Sequence, residues 1–326
     1  MKFTVLIPTF NHGVIIHSAI GSVLEQTVDD LELFIVCDGS PPETHSIVAE
    51  YEARDKRVRA FKFEKGERHG EASRHKALEE ATGEAVAYLA DDDFWFPDHL
   101  AVMRELLADA DFATTRQVET TPDYLVSGET GDLAEARTRE RMAQEKYNFF
   151  GPTVAAHRLD AYWRLPQGWS PAPEDLWTDL CMWRKWIRAG GVRFRSDNRV
   201  TSLHIPRVSR PDQSEWTAIN ENAYWRAVFR DPFIRKALQD VIPADRSPIQ
   251  LAIVAAQAVA LREAALAAAE SEKRAYMTDR DAALVEIDAQ RAALNDVLNS
   301  KVWRATAPLR AAVNRFRAPR GRRDAS

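Results

Sequence analysis

The stretch Tyr88-Leu89-Ala90-Asp91-Asp92-Asp93-Phe94-Trp95-Phe96-Pro97 decides how the rest of the chain is read. An apolar run, Ala85 to Ala90, stops abruptly at three consecutive carboxylates. Such a run reads as a buried strand that delivers acid to a sheet edge. Adjacent aspartates repel one another, and burying them without a partner is costly, so the triplet suits a hard divalent cation with oxygen ligands, Mg2+ or Mn2+. It suits equally a solvated acidic turn whose last aspartate caps a helix starting near Pro97. The neighbouring segments decide between the two.

Upstream, three further strand-loop-helix units precede the triplet. Phe3 to Pro8 is an apolar, β-branched run that leads through Thr9-Phe10-Asn11-His12-Gly13 to an amphipathic helix from about Val14 to Gln26. Leu31 to Cys37 ends in Asp38-Gly39-Ser40-Pro41-Pro42 before a helix from Glu43 to Arg54, and Val58 to Phe63 leads through Gly66-Glu67-Arg68-His69-Gly70 to a helix from Glu71 to Ala81. Unbroken apolar strands alternating with helices predict a parallel sheet covered on both faces, with ligands bound outside the carboxyl ends of the strands. Three of these four strands end in residues suited to binding: Thr9 and Asn11, Asp38, and Asp91 to Asp93. No G-x-G-x-x-G follows the first strand and no G-x-x-x-x-G-K occurs, which argues against a dinucleotide fold or a P-loop.

Downstream, a helix is expected to about Ala108, a strand over Asp111 to Arg116, and a polar excursion over 117–147 beside the site. Asn148 to His157 reads as a strand with a turn at Gly151-Pro152. Asp179 to Ala189 carries Leu180, Trp183, Trp186 and Ile187 at helical spacing, with Thr178 or Asp179 placed to cap it and Gly190 to stop it. Val192 to Phe194 and Val200 to Leu203 read as two short strands leading to His204, and the chain turns helical from about Gln213.

Taken in order, Phe3-Thr-Val-Leu-Ile-Pro-Thr-Phe-Asn11, Gln26, Phe34-Ile-Val-Cys-Asp-Gly-Ser40, Gly70-Glu-Ala-Ser-Arg74, Ala81-Thr-Gly-Glu84 and the aspartate triplet resemble family 2 glycosyltransferases of the GT-A fold, over about residues 1–210. The resemblance implies a Rossmann-like, mostly parallel α/β sheet flanked by helices. It implies a nucleotide-sugar donor, most simply a UDP-sugar, held by Thr9, Asn11, Asp38, Arg74 and Asp91. Asp38 would accept from a base N–H and Arg74 would neutralise diphosphate. The family pattern Asp-x-Asp-Asp has Ala90 at its first position here, so ribose contact and metal ligation fall to Asp91, Asp92 and Asp93. Asp92 is the expected metal ligand, Asp93 a further ligand or a helix cap, and His204 completes the metal shell. Arg207 and Arg210 are candidate phosphate contacts. The segment around Asp179 resembles the family's catalytic-base region, with Glu174 and Asp175 as alternatives for the general base. Inverting transfer to a saccharide or lipid-linked acceptor in surface glycan synthesis is the implied reaction, and Trp169 and Trp177 are candidates for stacking on a sugar face. A nucleotidyltransferase, or a degenerate transferase serving as an interaction protein, are the competing readings.

Composition sets the remaining bounds. The chain of 326 residues, 45% hydrophobic and 29% charged, is long enough for a substantial core. Cys37 and Cys181 lie in apolar stretches and suggest a reducing compartment without disulfides. Neither a leader segment nor a membrane span is expected, which points to a cytoplasmic protein. The net charge of -5 conceals a basic end, with about +7 over Lys301 to Ser326 against about -12 elsewhere. We therefore expect a transferase domain over 1–232, divided into a nucleotide-sugar half (1–116) and an acceptor half (117–232). A helical or coiled-coil extension over 233–300 would follow, with a possible homodimer through 249–298. A basic tail over 301–326 would contact anionic lipid at the inner face of the cell membrane. Nucleic acid is not expected, because the body is acidic and carries no recognition module.

Overall fold

The structure, a computed structural model, describes residues 1–120, 125–127, 131–206, 214–241 and 292. The expected coiled coil over 249–298, the tail over 301–326, Arg207 and Arg210 all lie outside the described residues. The chain divides into two compact units, Met1–Arg262 and Glu263–Ser326, and every element named here belongs to the first. Its strands are β1 (Phe3–Thr9), β2 (Leu31–Asp38), β3 (Val58–Phe63), β4 (Ala85–Tyr88), β5 (Phe94–Trp95), β6 (Phe112–Thr120), β7 (Leu125–Ser127), β8 (Ala155–Arg158) and β9 (Phe194–His204). Its helices are α1 (Ile16–Leu24), α2 (Pro42–Arg54), α3 (Glu71–Leu78), α4 (His99–Leu106), α5 (Ala136–Gln144), α6 (Leu159–Trp163), α7 (Thr178–Arg188), α8 (Glu215–Arg230) and α9 (Pro232–Val241).

The strands form one sheet in the order β3-β2-β1-β4-β8-β6-β9-β5, with β7 paired to β6. The first four run parallel, as expected from their apolar runs. Alternation along each strand feeds two cores on opposite faces. Phe3, Val5 and Ile7 of β1 join Ile16, Ile20 and Val23 of α1 on one side. Leu6 faces the other side, with Phe34, Val36, Tyr88 and the buried Trp183 and Trp186 of α7. Both faces are dry because helices cover both, which is why these strands read as continuous apolar segments. A third, smaller core joins Phe94 and Phe96 to Phe229 of α8 and Leu238 of α9. Gln239 of α9 accepts from the Val200 amide and donates to its carbonyl, so α9 is stitched to the sheet.

Beyond β4 the sheet departs from the sequence expectation. β8 is antiparallel to both β4 and β6, and β5 is antiparallel to β9. The segment over 117–147 is not wholly an excursion: β6 runs on to Thr120, β7 pairs with it, and α5 follows. Asn148 to His157 contains only the short strand β8, after a single 3-10 turn at Pro152–Val154. The two short strands expected over 192–203 are one strand, β9, parallel to β6 with register shifts around Arg116. β5 and α6 carry too few residues to show a period.

Two histidines are buried in this framework as neutral groups. His99 stacks on Trp95 and shares a 2.7 Å hydrogen bond with Thr201 Oγ1. His157 Nδ1 donates to the Arg158 carbonyl, which leaves Nε2 to accept from the Tyr88 hydroxyl at 2.8 Å. Burial depresses His99 to about 3 and His157 to about 4. An unfolded imidazole takes a proton near pH 6.5, so each histidine contributes stability that is present above that pH and lost as pH falls below it, by about 1.4 kcal/mol per pH unit. His99→Gln and His157→Gln are each expected to flatten the dependence of urea-derived unfolding free energy on pH between 6 and 5 by about one proton relative to wild type. An unchanged slope in metal-free buffer would show that the imidazoles are already charged in the folded protein.

Candidate active site

At the carboxyl ends of β1, β2 and β4 lies a cavity of about 270 Å³. The five residues expected at the donor, Thr9, Asn11, Asp38, Arg74 and Asp91, all line it. Asp92, Asp93, Asp179 and His204 stand outside its lining. One helix-bearing loop from each βα unit supplies the walls, as the parallel half of the sheet requires.

Asp38 ends β2 almost wholly buried. Its Oδ2 accepts from Lys65 Nζ at 2.6 Å, and its Oδ1 accepts from the Gly66 amide at 3.0 Å and from Ser73 Oγ at 2.9 Å. Burial alone would raise the carboxyl, but Lys65, the Gly66 amide and Ser73 together hold it below its usual range. Asp38 is therefore a fixed anion facing the cavity. Lys65 Nζ also stands 5.4 Å from the centre of the half-exposed Phe10 ring.

Arg74, on α3, forms the cavity floor. Its guanidinium stacks over the buried Trp169 ring at 4.9 Å and donates through Nη2 to the His69 carbonyl at 2.9 Å. Nε and Nη1 are buried and have no hydrogen-bond partner. Burial lowers its pKa, against the carboxylates of Glu71, Asp38 and Asp179, which favour the cation. Trp169 hangs from two tyrosines, donating its amide to Tyr162 and its indole N–H to Tyr88, each at 2.8 Å. Its ring is thus a platform for Arg74 rather than an exposed sugar-stacking surface. Trp177, by contrast, is 49% exposed, beside Lys146.

The aspartate triplet splits three ways. Asp91 Oδ1 accepts from His12 Nδ1 at 2.7 Å. Burial, then the charges of Asp93 and Asp91, push the Asp92 carboxyl up to about 7. Asp93 faces inward: Oδ2 accepts from Thr153 Oγ1 at 2.7 Å, and Oδ1 accepts from His204 Nδ1 at 2.8 Å and from the Ile205 amide at 3.2 Å. Asp93 raises His204 to about 9, so the imidazole is a cation paired with a carboxylate. Asp93 caps no helix. Among the described residues, the group able to surround a metal ion is His12, Asp91 and Asp92, whose ligand atoms lie within 4.8 Å of one another. One imidazole and two carboxylates form a donor set that fits Mn2+ or Mg2+.

Asp179 lies in the first turn of α7. Oδ1 accepts from the Leu180 amide and Oδ2 from Asn148 Nδ2, both at 2.7 Å. Burial raises its carboxyl above the ordinary range, in spite of these donors. The preceding residue, Thr178, donates through Oγ1 to Glu71 Oε1 at 2.8 Å, while Glu71 Oε2 accepts from the His69 amide at 2.9 Å. Fully buried Glu71 thereby ties the cavity loop to the helix that carries Asp179. Glu174 and Asp175 are exposed in the loop before α7.

Sequence reasoning did not single out His12, Lys65, Arg68 or Glu71. Their signal was positional: each sits in a loop or first helical turn at the carboxyl end of a parallel strand.

The family model described as Glycosyl transferase family 2 matches residues 4–165. The GalNAc(5)-diNAcBac-PP-undecaprenol beta-1,3-glucosyltransferase of Campylobacter jejuni is 34% identical over 92 residues, covering 28% of this chain and 30% of that protein. The uncharacterized glycosyltransferase alr2836 of Nostoc sp. is 35% identical over 113 residues, 34% of each chain. The chain thus spans about a third of the length of these curated relatives. Among solved structures, S. aureus TarS 1-349 in complex with UDP-GlcNAc aligns with a TM-score of 0.53 at 17% identity, over 79% of this chain and 72% of that one, a likeness of fold.

Two glycines with positive φ test how tightly the Asp38 wall is built. Gly70 (φ +76) would place a Cβ 2.7 Å from Asp38 Cγ, whereas Gly190 (φ +66) has open space around it. Gly190→Ala is expected to cost about 1–2 kcal/mol for left-handed backbone alone. Gly70→Ala should cost measurably more in urea unfolding, because Asp38 must also move off its three donors. Equal losses would mean that the wall yields freely.

Proposed function

The chain belongs to glycosyl transferase family 2 through its residues 4–165, and from that premise we propose that it moves a sugar from a nucleotide-sugar donor to a hydroxyl of a saccharide or lipid-linked acceptor. The observation that carries this reading is Arg74, a buried guanidinium with two unpartnered nitrogens on the floor of the cavity. An orphaned buried cation is costly unless an anion completes it, and a diphosphate does so with the right charge and fork geometry. Asp38, held ionised in the same cavity, would accept from a base N–H, which suits uracil or guanine. A lipid-linked acceptor is supported by the Campylobacter relative, whose name carries an undecaprenol-linked substrate.

In this reading His12, Asp91 and Asp92 hold the divalent cation, which when bound supplies charge neutralisation for the leaving diphosphate. Asp93 and His204, expected as ligands from the sequence, serve instead to fix the strand ends around the site. Asp179 takes the proton from the acceptor hydroxyl. That oxygen forms its bond to the anomeric carbon from the face opposite the departing diphosphate, the bond from that carbon to the phosphate oxygen breaks, and the sugar inverts. Asn148 and the Leu180 amide fix the orientation of the Asp179 carboxylate, and burial strengthens it as a base.

The test is a panel of UDP- and GDP-sugars with and without Mn2+, scored for binding and for release of nucleoside diphosphate. Arg74→Ala is expected to weaken donor binding at least tenfold, roughly what one lost charge-assisted hydrogen bond costs. Asp92→Ala should remove the metal dependence. Asp179→Asn should bind donor as wild type does and lose turnover by about 10²–10⁴-fold. Because the carboxyl is raised, the acid limb of the pH–rate profile should fall above the ordinary aspartate range. Release of pyrophosphate instead would identify nucleotidyl transfer, and full activity in Asp179→Asn would remove that residue from the role of base.

A further inference from the structure

Among the described residues, Arg68 is the non-glycine residue with a positive φ, at 55°. That conformation is strained for any residue with a Cβ, and in loops around sites it persists only when the surroundings enforce it. Here the enforcement comes from Lys65. Its ammonium donates to Asp38 Oδ2 at 2.6 Å and to the carbonyls of Gly66 and Arg68, each at 3.0 Å, which accounts for all three of its protons. The loop is wrapped round one cation, and the Arg68 carbonyl is one of its fixed points. Glycine, which adopts this backbone freely, stands at positions 66 and 70 of the same loop, yet position 68 carries arginine.

The side chain offers the reason. Arg68 lines the same cavity as Arg74, and its Nε is buried without a hydrogen-bond partner. Three guanidinium nitrogens from two arginines therefore lack partners in one cavity: Nε and Nη1 of Arg74 and Nε of Arg68. Fold stability does not explain either set, since folded proteins satisfy buried donors internally wherever nothing else will.

We propose that Arg68 is a second anion-binding residue of the site, held in strained backbone by Lys65 so that its guanidinium meets the diphosphate of the donor alongside Arg74. This rests on the nucleotide-sugar reading and adds to it a residue whose placement works against the stability of its own loop. The diphosphate is the anionic part of UDP and GDP, so the neutral parent nucleosides serve as the control that separates phosphate contact from base or ribose contact.

The experiment measures, for wild type, Arg68→Gly, Arg68→Ala and Arg74→Ala, the melting temperature and calorimetric affinity for UDP, GDP and the two parent nucleosides in the presence of Mn2+. Arg68→Gly is expected to raise Tm by about 2–4 °C through relief of backbone strain. The same variant should weaken the preferred nucleoside diphosphate about tenfold and leave its nucleoside unchanged. Arg68→Ala should show the same loss of affinity without the gain in Tm. Unaltered diphosphate affinity in Arg68→Gly, with Arg74→Ala still impaired, would overturn this proposal and leave the donor reading standing. Equal weakening of nucleoside and diphosphate would make Arg68 a base or ribose contact and overturn it as well. Failure of the wild type to bind either diphosphate would sink both readings together.

Discussion

A carboxylate buried at the end of a strand must be answered by donors, and the answer to Asp38 shapes one whole wall of the site. Lys65, the Gly66 amide and Ser73 Oγ converge on it from the loop after β3 and from α3. Without them, desolvation would leave the carboxyl protonated or β2 frayed at its end. The fit admits no side chain on either side of the pair. A Cβ on Gly39 would lie 2.5 Å from Lys65 Cβ, and one on Gly70 would strike Asp38 itself. One ion pair thus dictates two glycines, the path of the loop and the strained backbone at Arg68.

Asp93 plays the corresponding part beside the site, outside the lining of the cavity. It ends the stretch after β4 and collects Thr153, His204 and the Ile205 amide, residues 60 to 112 positions away in the chain. Removing one partner of such a buried charged pair leaves the other uncompensated, which is far costlier than the pair's net worth. The three aspartates are identical in sequence and unlike in situation. Because Asp93 is committed to the fold, β4 is anchored, and Asp91 and Asp92 are left to meet His12.

The parallel half of the sheet was legible because both of its faces are dry. β1, β2 and β4 are apolar along most of their length, the edge strand β3 carries exposed Arg59 and Lys62, and the polar residues suited to binding gather at the carboxyl ends where the cavity lies. Several sequence motifs nevertheless proved structural. Gln26 donates to the Ser22 and Phe96 carbonyls and accepts from the Leu100 amide, pinning α1 to the start of α4. Gly83 packs so close to Thr4 that a Cβ would sit 2.5 Å from its amide. The later strands were less legible because their order is set by partners far away in the chain. The first half of β9, from Phe194 to Arg199, has no fully buried residue, so no period marks it, and it is a strand because β6 lies beside it. His12 escaped notice for a related reason. A histidine in a loop after a strand carries no local sign of the aspartate that lies 79 positions further on.

Arg74 links the two ends of the proposed chemistry electrostatically. The same guanidinium is felt by Asp38 and by Asp179, and its charge works against burial to keep the Asp179 proton affinity down. In the proposed reaction the cation would thus restrain Asp179 until donor binds. A diphosphate seated on Arg74 would cancel much of that field across a low-dielectric interior, where screening by water is weak. The Asp179 carboxylate would become a stronger base once the donor is in place, and Glu71, bonded to both the cavity loop and Thr178, would hold the helix start in register while it does so. Arg74 would therefore be more than a binding group in the proposed reaction: its charge would make the strength of Asp179 as a base depend on occupation of the donor site.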